Sequence, residues 1–168
     1  MKPSRPAKPL PTRHPGPNDS PGFLLWRVSN AWQREQRAAL QPLGLTHTQF
    51  VMLAVSTWFG DPQPLTQAAL AQLAGSDPMT TSQVVRTLVA QGWVTRESHP
   101  EDTRAKLIRA TPHGRALAAR AVQVVEAVDQ RFFEILGADD RAALVKSFQG
   151  LLDRGEPAGE SRPDLGRA

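Results

Sequence analysis

The sequence contains no cysteine. That excludes disulfides, thiol catalysis and cysteine-based peroxide sensing, and it fits a reducing, cytoplasmic setting. It also lacks any apolar run of about 18 residues, so no transmembrane helix and no membrane association are expected. The first residues hold no apolar segment of the signal-peptide kind, and no secretory leader is expected. No nucleophile–base set, phosphate-binding loop or zinc-hydrolase motif is present, so neither catalytic residues nor an enzyme are expected. The four histidines, at 14, 47, 99 and 113, are scattered, so no metal site and no other cofactor are expected. Strong charge is missing too. The formal net charge is only +4, so its distribution matters more than its sum.

What is present suits one globular domain with a real core: 168 residues, 40% of them hydrophobic and 21% charged. Residues 1–21 hold seven of the fifteen prolines and almost no large apolar side chains. They read as a disordered tail. Lys2, Arg5, Lys8 and Arg13 against Asp19 give this tail a net charge of +3. Residues 155–168, with Gly155, Pro157, Gly159 and Pro163, read as a second, flexible tail. The segment between them, 22–154, is the expected folded domain and is close to neutral.

Apolar spacing predicts a first helix from about Phe23 to Gln41, with Leu24, Leu25, Val28, Trp32, Ala39 and Leu40 as its stripe. Pro42 and Gly44 end it. A second helix starts at Thr46 or His47 and runs to about Trp58, with Phe50, Val51, Leu53 and Ala54 inward. Thr66 caps a short third helix ending at Gly75, and Asp77 caps a fourth with Pro78 at its first position. Val94–Ser98 and Lys106–Ala110 read as paired strands around a charged loop. Thr111 caps a long fifth helix reaching about Leu136, with Leu117, Ala121, Val125, Val128 and Phe132 in its stripe, and Asp139 caps a sixth. The fold class is therefore mostly α with a small β-wing. Two short helices, a tight turn and a hairpin in that order form a winged helix-turn-helix, a unit that usually reads duplex DNA.

On a helical wheel of residues 78–91, Thr81, Val84, Val85 and Leu88 share one side. Thr80, Gln83, Arg86, Thr87 and Ala90 lie nearly opposite. Gln can pair bidentately with adenine and Arg with guanine, and a Thr methyl can meet a thymine methyl. Thr81 and Ser82 sit near the helix N-terminus, where free N–H groups favour phosphate oxygens. In the hairpin loop, Arg104 suits the negative potential of a minor groove. Asp102, two residues away, is placed to hold that guanidinium, and Lys106 adds a cation at the base of the tip. The expected DNA-binding residues are thus Thr80, Thr81, Ser82, Gln83, Arg86, Thr87, Asp102, Arg104 and Lys106.

Four segments together give the chain a resemblance to the multiple antibiotic resistance regulators, the MarR family. They are LGLTHTQFVML (43–53), SQVVRTLVAQGWVTR (82–96), DTRAK (102–106) and ATPHG (110–114). The likeness spans about residues 23–137. Asp102, Arg104 and Ala105 match the family's Asp-x-Arg-Ala wing motif, and ATPHG is similar to its strand-to-helix junction. The resemblance implies a homodimeric transcription factor, usually a repressor of a nearby operon, often released by a small aromatic or phenolic ligand. It implies a winged lobe at 46–111, with dimerisation helices at 22–41 and 112–154. One departure is that Arg86 is the only cation on the exposed face of the recognition helix.

A long apolar fifth helix agrees with a two-fold partner, since such a stripe left exposed invites aggregation. The resemblance places a ligand pocket near the first two helices. Trp26, His47, Phe50, Met52 and Trp58 are the candidate ligand-binding residues there, suited to a flat acid or phenol. The functional expectation is a ligand-responsive, sequence-specific DNA-binding regulator. The alternative is a winged-helix protein-interaction module that does not bind DNA.

Overall fold

The structure, a computed structural model, describes residues 10–102 and 104–154. The chain divides into two units, one through Val128 and one from Asp129. The first contains α1 (Pro21–Leu40), α2 (His47–Phe59), β1 (Leu65–Thr66), α3 (Gln67–Leu73), α4 (Pro78–Ala90), β2 (Val94–Ser98) and β3 (Lys106–Ala110). It also contains most of α5 (Pro112–Phe132). The second contains the end of α5 and α6 (Ala138–Asp153).

Caps set most helix starts. At α2 the capping box is complete: Gln49 N–H donates to Thr46 Oγ1 at 3.2 Å, and Thr46 N–H donates to Gln49 Oε1 at 2.9 Å. Thr66 Oγ1 accepts from Ala69 N–H at 3.1 Å to open α3, and Thr111 Oγ1 accepts from Gly114 N–H at 3.0 Å to open α5. The Thr66 and Thr111 caps match the sequence expectation, and the Thr46 box lies at the expected start of α2. Asp139 does not cap α6. Gly137 is its N-cap, with no side-chain bond, and Asp139 lies inside the first turn, where its charge favours the helix dipole.

The sheet is antiparallel in the order β1-β3-β2. Val94 faces Ala110 and Ser98 faces Lys106 in the β2–β3 hairpin. The two-residue β1, which sequence spacing does not reveal, pairs Leu65 with Ile108. This third strand ties the root of the wing to the start of α3.

Two glycines hold the corner between α4 and the wing. Gly92 has φ +71°, a left-handed residue that lets Trp93 N–H return to the Leu88 carbonyl at 2.9 Å. Gly114 lies against the Trp93 backbone, and a β-carbon there would collide with the Trp93 carbonyl. Thr111 Oγ1 bonds the Gly92 carbonyl at 2.8 Å, and Arg115 Nη1 bonds the Ala110 carbonyl at 2.7 Å. The end of α4, the root of the wing and the start of α5 are therefore one braced junction.

The core of the first unit joins Leu40, Phe50, Met52, Leu53, Leu70, Val85, Leu88, Trp93, Ile108 and Leu117, among others. It continues along α5 through Ala121 and Val125. Gln36 Nε2 of α1 donates to the Val125 carbonyl at 3.4 Å. Most of the α5 stripe is thus covered inside the chain, so, against the sequence expectation, these residues need no partner to cover them. The predicted stripe of α1 behaves the opposite way. Leu40 is buried and Trp32 and Ala39 are half-buried, but Leu24, Leu25 and Val28 are exposed, as are their neighbours Phe23 and Trp26.

In the second unit, α5 ends at Phe132 rather than Leu136, and residues 133–136 form turns. No α6 residue is buried, and Val145, Phe148, Leu151 and Leu152 stay exposed. Of the two tails expected from the sequence, residues 1–9 of the first and all of the second, 155–168, lie outside the described residues. Within the described part of the first tail, Pro17–Asp19 form a 3-10 turn whose Asn18 Oδ1 accepts from Arg27 Nη1 of α1 at 2.8 Å. Order therefore begins before residue 22.

Candidate nucleic-acid interface

Helix α4 is built to stand still. Val85 and Leu88 are completely buried in the core, and Asp77 caps the first turn. Its Oδ1 accepts from Met79 N–H at 3.0 Å and Thr80 N–H at 2.9 Å, while the Asp77 carbonyl takes Thr81 N–H at 3.0 Å. The Thr80 hydroxyl, and then its backbone N–H, hold the Asp77 carboxyl below the usual carboxylate range. These bonds correct one expectation. The α4 N-terminus does not present free N–H groups to a phosphate, because an anionic side chain already occupies them.

Thr81 is a second correction. It is 0% exposed, and its hydroxyl donates to the Asp77 carbonyl at 2.9 Å, so it faces the core and cannot touch DNA. Ser82 is half-buried. Gln83, Arg86 and Thr87 are exposed along the outer side. The Thr87 hydroxyl is held by the Gln83 carbonyl at 3.3 Å. Arg86 Nε donates to the Ser82 carbonyl at 3.2 Å, which leaves its two Nη groups for an outside acceptor. Gln83 and Arg86 thus present hydrogen-bonding groups on the exposed side of α4.

The wing tip is organised by acceptors. His99 Nδ1 accepts from both Glu101 N–H and Asp102 N–H at 3.2 Å. Asp102 Oδ1 accepts from the backbone N–H of Arg104 at 2.9 Å. Asp102 therefore shapes the turn that carries Arg104 instead of gripping its guanidinium. Arg104 is exposed, and Lys106 Nζ donates to Ser98 Oγ at 2.9 Å across the hairpin.

Two side chains near this surface escape the wheel and motif arguments. Arg96 on β2 donates from Nε to Gln67 Oε1 at the start of α3, at 3.2 Å, bringing a wing cation next to the helix-turn-helix. Met79, in the first turn of α4, is 73% exposed. A pattern search for charge and hydrogen-bonding groups passes over it because it is apolar.

The five proposed ligand residues do not form one pocket. His47 and Phe50 are neighbours, with ring centroids 6.2 Å apart, and Trp32 meets His47 edge-on at 4.9 Å. Met52 is fully buried core. Trp26 is exposed and stacks on Phe23 at 6.2 Å. Trp58 is 72% exposed near the far end of α2, about 16 Å along the helix from His47. The aromatic group that the fold assembles is Trp32, His47 and Phe50. Trp32, which apolar spacing assigns to the α1 stripe, joins this group because α1 meets α2 there, a contact that sequence alone does not show.

Comparison with known proteins places this geometry. The MarR family model matches residues 45–106, from the start of α2 to the far side of the wing. The HTH-type transcriptional regulator YdcH of Bacillus subtilis is 40% identical over 119 residues, 70% of this chain and 81% of that protein. The HTH-type transcriptional repressor Rv2887 of Mycobacterium tuberculosis is 36% identical over 82% of this chain and 94% of its own. Among solved structures, CouR of Rhodococcus jostii with bound p-coumaroyl-CoA has a TM-score of 0.73 at 27% identity, covering 88% of this chain and 99% of CouR. BpsR of Bordetella bronchiseptica, whose DNA binding is regulated by 6-hydroxynicotinic acid, has a TM-score of 0.74 at 26% identity, over 81% and 95%. A mutant MarR of Escherichia coli complexed with operator DNA has a TM-score of 0.69 at 28% identity, over 81% and 93%. The relatives are transcriptional regulators rather than enzymes. With its capped recognition helix, braced wing and whole-domain likeness to these proteins, the chain belongs to the MarR family of winged-helix transcriptional regulators.

Proposed function

We propose that the protein is a repressor that binds a pseudo-palindromic DNA site as a homodimer and is released by a small aromatic acid or phenol. Helix α4 enters the major groove, Gln83 and Arg86 contact base edges, and the wing places Arg104 at the neighbouring minor groove. Thr80, Ser82, Thr87 and Lys106 border this contact, and Asp102 shapes it from behind. The observation that carries the reading is the outer side of α4. It holds an amide and a guanidinium with open donors on a helix whose opposite side is locked in the core. The operator complex of the related MarR protein supports duplex DNA as the partner. Work on chromosomal DNA would place the protein in the cytoplasm. No helix among the described residues is long and apolar enough to cross a membrane.

The exposed apolar residues Leu25, Trp26 and Val28 of α1, and separately Phe148, Leu151 and Leu152 of α6, support a second copy as their cover. In this assignment 22–41 and 112–154 carry the dimer and 46–111 the reading lobe, although the first part of α5 shares the lobe's core. Sedimentation equilibrium at micromolar concentration should give about twice the 18.4 kDa chain mass. A monomer at that concentration would remove both the dimer and the palindrome. Footprinting should then show two half-sites with centres about one helical turn apart.

The ligand reading rests on Trp32, His47 and Phe50, and on two relatives, one solved with bound p-coumaroyl-CoA and one whose DNA binding is regulated by 6-hydroxynicotinic acid. A ligand shifts the DNA equilibrium only through its preference for the DNA-incompetent arrangement. Tenfold release needs about 1.4 kcal/mol of that preference. Tryptophan fluorescence titrations with hydroxybenzoates and hydroxynicotinates, with and without bound duplex, should show reciprocal weakening. An aromatic panel that neither quenches nor releases DNA would leave this cluster as packing.

A further inference from the structure

We propose that Met79 is a sequence-reading residue, with its thioether side chain packing on the C5-methyl of a thymine in the major groove. The inference rests on α4 being the groove-entering helix. Two described methionines show what is unusual here. Met52 is 0% exposed in the core, whereas Met79 is 73% exposed in the first turn of α4. At 100° per residue, Met79, Gln83, Arg86 and Ala90 fall within about 60° of arc, so Met79 continues the same outer line as the two hydrogen-bonding readers. Its backbone is pinned, because Met79 N–H is held by Asp77 Oδ1 at 3.0 Å.

Reading helices of this architecture contact bases with their N-terminal residues. Asp77 has taken the N–H groups of this end, so the first turn offers no N–H cradle to a phosphate. An exposed apolar side chain offers packing instead. The apolar feature of a base edge in the major groove is the thymine methyl, and a flexible, polarisable thioether suits such a shallow contact. Gln83 and Arg86 then supply directional hydrogen bonds, while Met79 supplies discrimination that no donor or acceptor provides.

The test uses the full chain and a duplex that the wild type selects from a randomised pool. Each thymine of the selected half-site is replaced in turn by deoxyuridine, which removes only the methyl. At one thymine per half-site the wild type should lose about fourfold in affinity per methyl. Met79→Ala should bind thymine and uracil duplexes alike, both more weakly than the wild type binds thymine. Met79→Leu should keep the preference. An exposed Met79 makes Ala well tolerated for folding, which circular dichroism confirms or denies. Indifference of the wild type at every thymine, a selected half-site without thymine, or an unchanged preference in Met79→Ala would each overturn the inference while leaving α4 as the reader. Failure to enrich any sequence would overturn the reading of α4 itself, and this inference with it.

Discussion

Helix α4 and the first half of α1 are both amphipathic helices, and they end in opposite conditions. In α4 the apolar side is buried against the core, the first turn is capped by a carboxylate, and the polar side faces out. In α1 the cap is a single 3.4 Å bond from Phe23 N–H to Ser20 Oγ, and five large apolar side chains between Phe23 and Val28 face out. One helix is complete within the chain and displays hydrogen-bonding groups. The other displays what a folded protein usually hides. Under the proposed function, the first surface takes a polar, charged partner and the second an apolar partner of its own kind.

The sharpest way to break this contrast is to remove one leucine from each helix. Leu88→Ala should cost about 2–5 kcal/mol of stability, since Leu88 is fully buried among Val85, Trp93 and Ile108. Leu25→Ala should change the stability of the monomeric chain by less than about 0.5 kcal/mol, and should weaken self-association instead. Denaturant melts read at low protein concentration, paired with sedimentation, separate the two effects. Equal losses of stability would mean that α1 is packed within the chain after all.

Within the reading surface, Gln83→Ala should cost about 1–3 kcal/mol on the selected duplex and relax base choice at one position. An equal loss on scrambled DNA would mean that Gln83 does not read bases. Arg104→Ala should act more weakly and less selectively. Its loss should appear across sequences and make the salt slope shallower by about one unit, as for one missing backbone contact. Asp102→Ala should mimic part of that loss, because it frees the Arg104 N–H and loosens the turn. A full Arg104-like loss with an unchanged wing conformation would return Asp102 to a direct role at the DNA.

The helices, the Thr and Asp caps of α3, α4 and α5, and the hairpin were legible in the sequence because each rests on local rules, such as a Thr or Asp before an apolar rhythm or a Gly after it; the α6 cap and the end of α5 were not. What stayed hidden depends on long-range contacts. β1 is too short to carry a period, so only pairing with β3 reveals it. Thr81 sits on the inward side of its own wheel, yet a rule about helix N-termini recruits it to the DNA surface. Proximity in sequence cannot show that Asp77 has already filled that end. The aromatic residues of α1 and α2 look like one cluster in composition. The length of α2 and the point where α1 crosses it divide them, keeping Trp32 with His47 and sending Trp58 to the opposite end.

The smallest expected effect concerns that capping carboxylate. Because hydrogen bonds from Thr80 and Met79 favour the ionised form, the folded chain holds the Asp77 carboxyl lower than the unfolded chain does. A lowered folded value adds stability that is fully present above the unfolded value and is lost as pH falls through the folded one. Asp77→Asn keeps an oxygen acceptor for the cap but cannot titrate. The gap in melting temperature between wild type and Asp77→Asn should therefore be constant near neutrality and should close as pH falls from about 5 towards 2. Asp77 is exposed and salt screens it, so the gap should also shrink at high ionic strength. If the two proteins kept parallel acid profiles, ionisation of Asp77 would not be what steadies α4. The contrast with α1 would then rest on core packing alone.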